Sequence, residues 1–152
     1  MPYTTADARQ QLLDTLAEAT ADLGIALASL TEAYELLDES SGDRLEQGLF
    51  RPVQLAYGRA RRTHAEFAER HGLEGRTFEP SIPGAPSKGV KGFLDSAVQA
   101  VSDANGTLAT LQDSMLPVEV GDAQLRAGLE DVRGLIDGLG TQARELARTI
   151  GR

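Results

Sequence analysis

Residues 12–37 read LLDTLAEATADLGIALASLTEAYELL. Apolar residues recur in this stretch at alternating steps of four and three, a spacing that keeps one face of a helix against a neighbouring helix. We call these positions the seam: Leu12, Leu16, Ala19, Leu23, Ala26, Leu30, Ala33 and Leu37. The stretch therefore predicts one long amphipathic helix of a bundle or coiled coil.

The same spacing returns in three further segments. Two of them repeat it without interruption, at Val90, Leu94, Ala97, Val101, Ala104, Leu108, Leu111 and Met115, and at Leu125, Leu129, Val132, Ile136, Leu139, Ala143, Leu146 and Ile150. The remaining segment runs through Phe50, Val53, Tyr57, Ala60, His64, Phe67 and His71. Four such segments predict an all-α chain that forms a single domain over residues 1–152. We expect a four-helix bundle of long antiparallel helices at about 5–38, 43–71, 87–116 and 122–150.

Capping residues set the expected helix ends. Thr4 or Thr5 caps the first helix and Ser40 or Ser41 the second, because hydroxyls accept hydrogen bonds from the free N–H groups of a first turn. Gly72 ends the second helix, since glycine readily adopts the left-handed conformation that follows a helix. The third and fourth helices are predicted to start at Ser87 and at Gly121–Asp122.

Pro52 lies inside the second predicted helix. Proline removes a backbone donor and clashes with the preceding turn, so we expect a kink or a short break near residues 48–52. Two registers remain open for this helix. One places Tyr57 and His64 on the seam, whereas the other turns them to its flank and runs through Leu49, Val53, Ala56, Ala60, Thr63 and Phe67.

The connection over residues 72–86 carries Pro80, Pro83 and Pro86 at the period of a polyproline II helix. About fifteen residues in that conformation reach about 47 Å, whereas a helix of about 29 residues is about 43 Å long. Two topologies therefore remain open. We favour up-down-up-down, because sequential helices usually neighbour each other; the alternative is an overhand crossover between helices two and three. The prolines are interpreted as a stiff surface strut, with a docking strand for a proline-recognition domain as the alternative.

Composition limits the classes of function. The chain has no cysteine, which excludes disulfides, thiolate nucleophiles and cysteine-ligated metals. Its first residues show neither the basic nor the apolar region of a signal peptide, and the weakly charged segment 19–31 is too short to span a membrane. We therefore expect a cytoplasmic protein with no membrane partner.

Charge is distributed unevenly about a net value of −8. Residues 1–41 hold eight acidic residues and one arginine, whereas residues 42–76 hold seven arginines and five acidic residues. Opposite charge suits two adjacent antiparallel helices, and the acidic total argues against a nucleic-acid partner. Arg59, Arg61 and Arg62 form a basic cluster. We interpret it as forming salt bridges within the bundle, for which helix one offers acidic partners; a clamp for a phosphate or a carboxylate is the alternative.

Nothing in the sequence matches a catalytic motif such as a P-loop, Gly-x-Ser-x-Gly or His-Glu-x-x-His. We therefore expect no enzymatic activity and assign no catalytic residue. Both histidines, His64 and His71, share a helix face with Tyr57. They stand about 10.5 Å apart along the axis, too far to share one metal, and the Glu-x-x-His pairs of di-iron bundles are absent. We expect hydrogen-bonded polar side chains, no metal and no cofactor; a face that binds a small molecule, a metal or haem at these three residues is the alternative.

The face of helix one opposite the seam carries few charged side chains, and we call it the bare face. Where a solvated helix carries charged side chains, this one has Ala17, Ala21, Gly24, Ile25 and Ala28. Small apolar residues on an outward face suit the close approach of another helix. We interpret them as an interface, and expect a non-enzymatic interaction or structural module that self-associates as a two-fold dimer or contacts another protein.

Overall fold

The computed structural model of the chain describes residues 4–82 and 89–150, and every regular element in these ranges is helical. The all-α prediction is confirmed. In chain order the elements are α1 (Thr5–Glu35), α2 (Glu39–Leu45), α3 (Arg51–Arg70), α4 (Val90–Asp113), α5 (Leu116–Glu119), α6 (Ala123–Ile136) and α7 (Leu139–Ile150). A π-helical segment, Glu46–Phe50, joins α2 to α3.

Helix α1 begins as predicted and ends earlier. Thr4 Oγ1 accepts a hydrogen bond from the backbone N–H of Asp7 at 3.0 Å, and the Asp7 carboxylate accepts one from the N–H of Thr4 at 3.3 Å, which together form a capping box. The helix stops before Asp38, because Asp38 caps α2 by accepting a hydrogen bond from the N–H of Ser41 at 2.7 Å. The predicted cap at Ser40 or Ser41 is therefore wrong, since both serines lie inside α2.

The irregularity expected near Pro52 is the π-helical segment. Arg51 donates its backbone N–H to the carbonyl of Glu46, five residues back, which widens the turn by one residue. Pro52 follows at the second position of α3, directly after the widened turn, so its missing N–H falls where the regular series of helical hydrogen bonds is already interrupted.

From Leu49 in the π-helical segment onward, the second of the two predicted registers faces the core. Its members are all buried: Leu49, Val53, Ala56, Ala60, Thr63 and Phe67. Tyr57 and His64 are buried as well, on the side of α3 that faces α1.

Predicted helix four is two helices. The prediction of one continuous helix over residues 122–150 is wrong, because Gly138 takes a left-handed conformation, φ 83°, between α6 and α7. Helix α4 also ends at Asp113, before the predicted residue 116. Gly72 has φ 64° directly after α3, as predicted.

Helices α1 and α4 run antiparallel and form the most extensive helix–helix contact in the described ranges. Near the start of α1, Arg9 donates a hydrogen bond to the carbonyl of Val120, just beyond α4, at 3.0 Å. Further along α1, the pKa of Asp22 is raised by burial and by the nearby carboxylate of Asp103 on α4. Residues later in α1 therefore face residues earlier in α4, as in an antiparallel pair.

Helix α3 is antiparallel both to α6 and to α1. The end of α3 meets the start of α6, where Arg70 and Asp122 form an ion pair at 2.7 Å. Further along, a methyl group on Gly128 would overlap the side chain of Thr63, so glycine permits the close approach of these two helices. On the other side of α3, Tyr57 packs against Gly24 of α1. His64, later on α3, lines a cavity with Gln10 and Asp14, which lie earlier on α1.

These pairings contradict the favoured topology. An up-down-up-down order makes the first and third helices parallel, but α1 and α4 are antiparallel. Because α1 is antiparallel to both α3 and α4, those two helices run in the same direction, and the chain between them returns along the length of the molecule. The up-down-up-down prediction is therefore wrong, and the overhand crossover fits the observed contacts. The 4-3 spacing did not distinguish the two topologies, because a helix has the same seam whichever helix packs against it.

Residues 73–82, which we call the crossover segment, lie over α1 and α3 without regular secondary structure. Pro80 packs against Gly24 of α1. Three side chains of the segment are half-buried against the core: Leu73, Phe78 and Ile82. Three residues named in the predictions lie outside the described ranges: Pro83, Pro86 and Ser87.

Shortening the connection is expected to abolish the fold. With residues 73–86 replaced by a Gly-Ser turn of two residues, about seven residues remain between α3 and α4. They reach about 25 Å when fully extended, which is too short to run beside α4, about 36 Å long at 1.5 Å per residue. We expect loss of the cooperative transition in thermal denaturation followed by circular dichroism. A Gly-Ser replacement of unchanged length is the control, and should unfold cooperatively at a lower temperature. Parental, cooperative unfolding of the shortened chain would contradict the crossover.

Candidate functional site

Tyr57 and His64 lie one above the other on α3, because side chains seven positions apart share a helix face. The structure leaves only 4% of Tyr57 and 3% of His64 exposed. Neither residue points toward α6; both lie between α1 and the crossover segment. The sequence identified this face as a candidate binding face, but it did not predict which residues would cover it.

The crossover segment covers this face with two side chains. Phe78 packs edge-on against the imidazole of His64, with ring centroids 5.3 Å apart and an interplanar angle of 83°. Pro80 packs beside Gly24, where a Cβ atom would stand 3.5 Å from Pro80 Cα and 3.3 Å from the ring of Tyr57. Gly24 thus leaves space for both the tyrosine ring and the crossover segment.

Three buried polar atoms have no hydrogen-bond partner among the described residues: Ser29 Oγ, Tyr57 Oη and His64 Nδ1. Buried polar groups are nearly always paired, and an unpaired one costs about 1–3 kcal/mol. The hydrogen-bond partners expected for Tyr57 and His64 are therefore not supplied by the described part of the chain.

His64 lines an open cavity of about 580 Å³, together with Gln10 and Asp14 of α1 and with Glu74, Gly75 and Arg76 of the crossover segment. We call it the His64 cavity. Gln10 donates a hydrogen bond to one carboxylate oxygen of Asp14 at 2.9 Å. Charged groups of both signs therefore surround one imidazole.

Electrostatics keep this imidazole neutral. Burial lowers the pKa of His64, the positive charge of Arg76 lowers it further, and Asp14 acts in the opposite direction. At neutral pH the ring therefore offers one N–H donor and one acceptor nitrogen. Burial also raises the pKa of the Tyr57 hydroxyl, which stays protonated and able to donate.

His71 belongs to a different place in the fold. Its Nε2 lies 3.0 Å from the carboxylate of Asp122, which also accepts hydrogen bonds from Arg70 at 2.7 and 2.8 Å. Asp122 caps α6 as well, by accepting from the N–H of Leu125 at 2.7 Å. Burial alone would raise the pKa of Asp122, but these hydrogen bonds outweigh it and hold the pKa well below its ordinary value. The cluster joins α3 to α6, and the structure does not bring His71 and His64 into one site.

The predicted basic cluster separates in the structure. Arg59 pairs with Asp131 of α6 at 3.1 Å, the guanidinium of Arg61 lies 4.8 Å from the ring centroid of Tyr57, and Arg62 is exposed. Within the described residues none of the three forms a salt bridge with α1. Arg59 therefore forms a salt bridge within the bundle, as predicted, but its partner is on α6 and not on helix one, and Arg61 lies over an aromatic ring instead.

The five interface candidates on α1 divide into two groups. Ala17 and Gly24 are buried within the chain itself, and Gly24 is covered by Tyr57 and Pro80. The other three retain exposed surface: Ala21, Ile25 and Ala28. The chain therefore fills part of the bare face of α1 with its own residues.

Three charged residues of the His64 cavity were not anticipated: Asp14, Glu74 and Arg76. Asp14 is one of eight acidic residues in the first 41 positions, so nothing in the sequence distinguishes it. Glu74 and Arg76 belong to a connection without periodic pattern. The available signal was their position directly after Gly72, in a segment long enough to lie along the helices.

The free energy of unfolding is expected to fall as the pH drops below about 6.5, because His64 resists protonation in the folded chain. Its folded pKa lies below the unfolded value, so this contribution is complete above the unfolded pKa and is lost as pH falls toward the folded pKa. One such group gives a slope of at most about 1.4 kcal/mol per pH unit.

Urea denaturation at a series of pH values measures this slope. His64→Gln should flatten it relative to the parent, whereas the control His71→Gln, which retains His64, should leave the slope attributed to His64 in place. Equal slopes for the parent and His64→Gln would show that the imidazole is not buried as described.

No protein-family model, no curated protein and no solved structure matches the chain. Among the described residues, no group of three or more histidine, aspartate or glutamate side chains is placed to hold a metal ion, and no helix is both long and apolar enough to cross a membrane.

Proposed function

We propose that the protein is a non-enzymatic binding module: a four-helix bundle with an overhand crossover, in which α1, α3 and the crossover segment form a small-molecule site at His64. The observation that carries this proposal is the buried, neutral imidazole that lines the His64 cavity without a hydrogen-bond partner. Since buried polar groups are normally paired, an unpaired one in the wall of a cavity favours a partner from outside the chain.

Binding without turnover is supported by the surroundings of His64. A catalytic histidine acts on a nucleophile or substrate while a third group orients its ring. In the described part of the chain, Nδ1 of His64 has no hydrogen bond to a hydroxyl or a carboxylate that would orient the ring. The proposal also places the protein in the cytoplasm, without a nucleic-acid or membrane partner, which its net charge of −8 and lack of cysteine support.

A fragment library screened by two-dimensional NMR tests the proposed site. Binders should shift the backbone amides of Gly75 and Arg76 together with the ring resonances of His64. His64→Gln should weaken them at least about tenfold, the effect of one lost hydrogen bond in a cavity, whereas His71→Gln should bind like the parent. If no fragment shifts these resonances, or if His64→Gln binds equally well, the proposed site is wrong.

Self-association is a second candidate function. Ala21, Ile25 and Ala28 keep exposed surface on α1 beside the crossover segment, and Ile25 also packs against the core, so its position is defined. Two alanines beside an isoleucine allow a second helix to approach closely. A two-fold dimer through this strip is compatible with ligand binding at His64.

Light scattering tests the dimer and should give twice the chain mass of 16.2 kDa. Ile25→Glu should return the protein to the monomer, because it places an unpaired charge in the contact. Leu55→Glu is the matched control, since Leu55 is 56% exposed on α3 and lies outside the strip. A parent chain that remains monomeric at high concentration would remove this candidate function.

A further inference from the structure

We propose that the His64 cavity binds the ammonium and carboxylate groups of a small zwitterion, of the class of the free α-amino acids. This inference rests on the binding function proposed above and specifies its ligand. It starts from three charged side chains that line the cavity, Asp14, Glu74 and Arg76.

Opposite charges share this cavity without neutralising each other. In the described part of the chain, neither Asp14 nor Glu74 lies within 4.0 Å of Arg76 as an ion pair. The chain does close ion pairs elsewhere, at 2.7 Å between Arg70 and Asp122, for example. Two carboxylates and a guanidinium that line one cavity without pairing with each other can be bridged by a ligand that carries both charges.

The imidazole of His64 lies within the electrostatic reach of both signs of charge. Arg76 and Asp14 displace its pKa in opposite directions, so one cationic and one anionic group act on the same ring. The neutral ring accepts a hydrogen bond from an ammonium group or donates one to a carboxylate. It therefore suits either end of a zwitterion.

The space and the orientation of the charges also fit. A volume of about 580 Å³ falls within the usual range for small-molecule sites, and a methyl group on Gly75 would meet no atom within 4 Å. Gln10 holds one carboxylate oxygen of Asp14 at 2.9 Å, which orients the group. The ammonium group is assigned to Asp14 and Glu74, and the carboxylate to Arg76, where a guanidinium binds it through two parallel hydrogen bonds.

Isothermal titration calorimetry with three related probes tests the charge requirement. L-Alanine carries both groups, N-acetyl-L-alanine lacks the ammonium and L-alanine methyl ester lacks the carboxylate. L-Alanine should bind at concentrations up to about 10 mM, and each blocked probe should bind at least about tenfold more weakly. No binding of L-alanine, or equal binding of either blocked probe, would overturn the assignment.

Substitutions assign each charge to its residue. Arg76→Gln should reduce L-alanine binding to the level of the methyl ester, and Glu74→Gln should reduce it at least about tenfold. Arg62→Gln is the matched control, because Arg62 is exposed on α3 and lies outside the cavity. Both cavity residues are exposed, so circular dichroism should show an unchanged fold. Undiminished binding by Arg76→Gln would overturn the proposal.

The outcomes separate this inference from the function on which it rests. If fragments shift the His64 resonances while L-alanine does not bind, the zwitterion assignment is wrong and the binding site stands. If neither the fragments nor L-alanine shift the His64 resonances, both the zwitterion assignment and the proposed binding site are wrong.

Discussion

The antiparallel packing of α1 against both α3 and α4 is the constraint on which the rest of the structure depends. It makes α3 and α4 run in the same direction, so the chain between them has to return along the molecule. That return places residues 73–82 over α1 and α3, where Phe78 covers His64 and Pro80 packs against Gly24. Without the crossover, Tyr57 and His64 would be polar residues at the edge of a helix pair, and Glu74 and Arg76 would not face Asp14.

The sequence predicted the helices well where local chemistry determines them. Thr4 caps α1, Gly72 ends α3, and the irregularity expected at Pro52 is the π-helical segment. It did not predict the topology, because a 4-3 seam carries no information about which helix covers it or in which direction. It also did not separate Gly134, which stays helical, from Gly138, which breaks the helix. Both occupy the same face in the sequence pattern, and only the packing of the whole chain distinguishes them.

In the candidate site too, the sequence predicted some features and missed the residues that come from elsewhere in the chain. The spacing of Tyr57 and His64 identified a shared face of α3, and the small residues Ala17 and Gly24 indicated that something approaches α1 closely. The crossover segment of the same chain contacts His64 through Phe78 and Gly24 through Pro80. The bare face was interpreted as an interface with another molecule, and that stays a prediction; Pro80, which contacts Gly24, lies in a connection whose sequence has no periodicity to place it. The charged residues of the His64 cavity were missed for the same reason.

The energetics of this face explain why it suits an external ligand. Burying an aromatic side chain stabilises a fold by about 1.5–3 kcal/mol, whereas each unpaired buried polar atom costs about 1–3 kcal/mol. For Tyr57 and His64 the two contributions are of similar size, so the crossover segment covers them with little net gain from these rings. At the proposed site, a ligand that pairs His64 would remove part of the cost only while Glu74 and Arg76 are in place, and would therefore stabilise the docked segment by mass action. Ligand binding and docking of the crossover segment would then be coupled through the same few contacts.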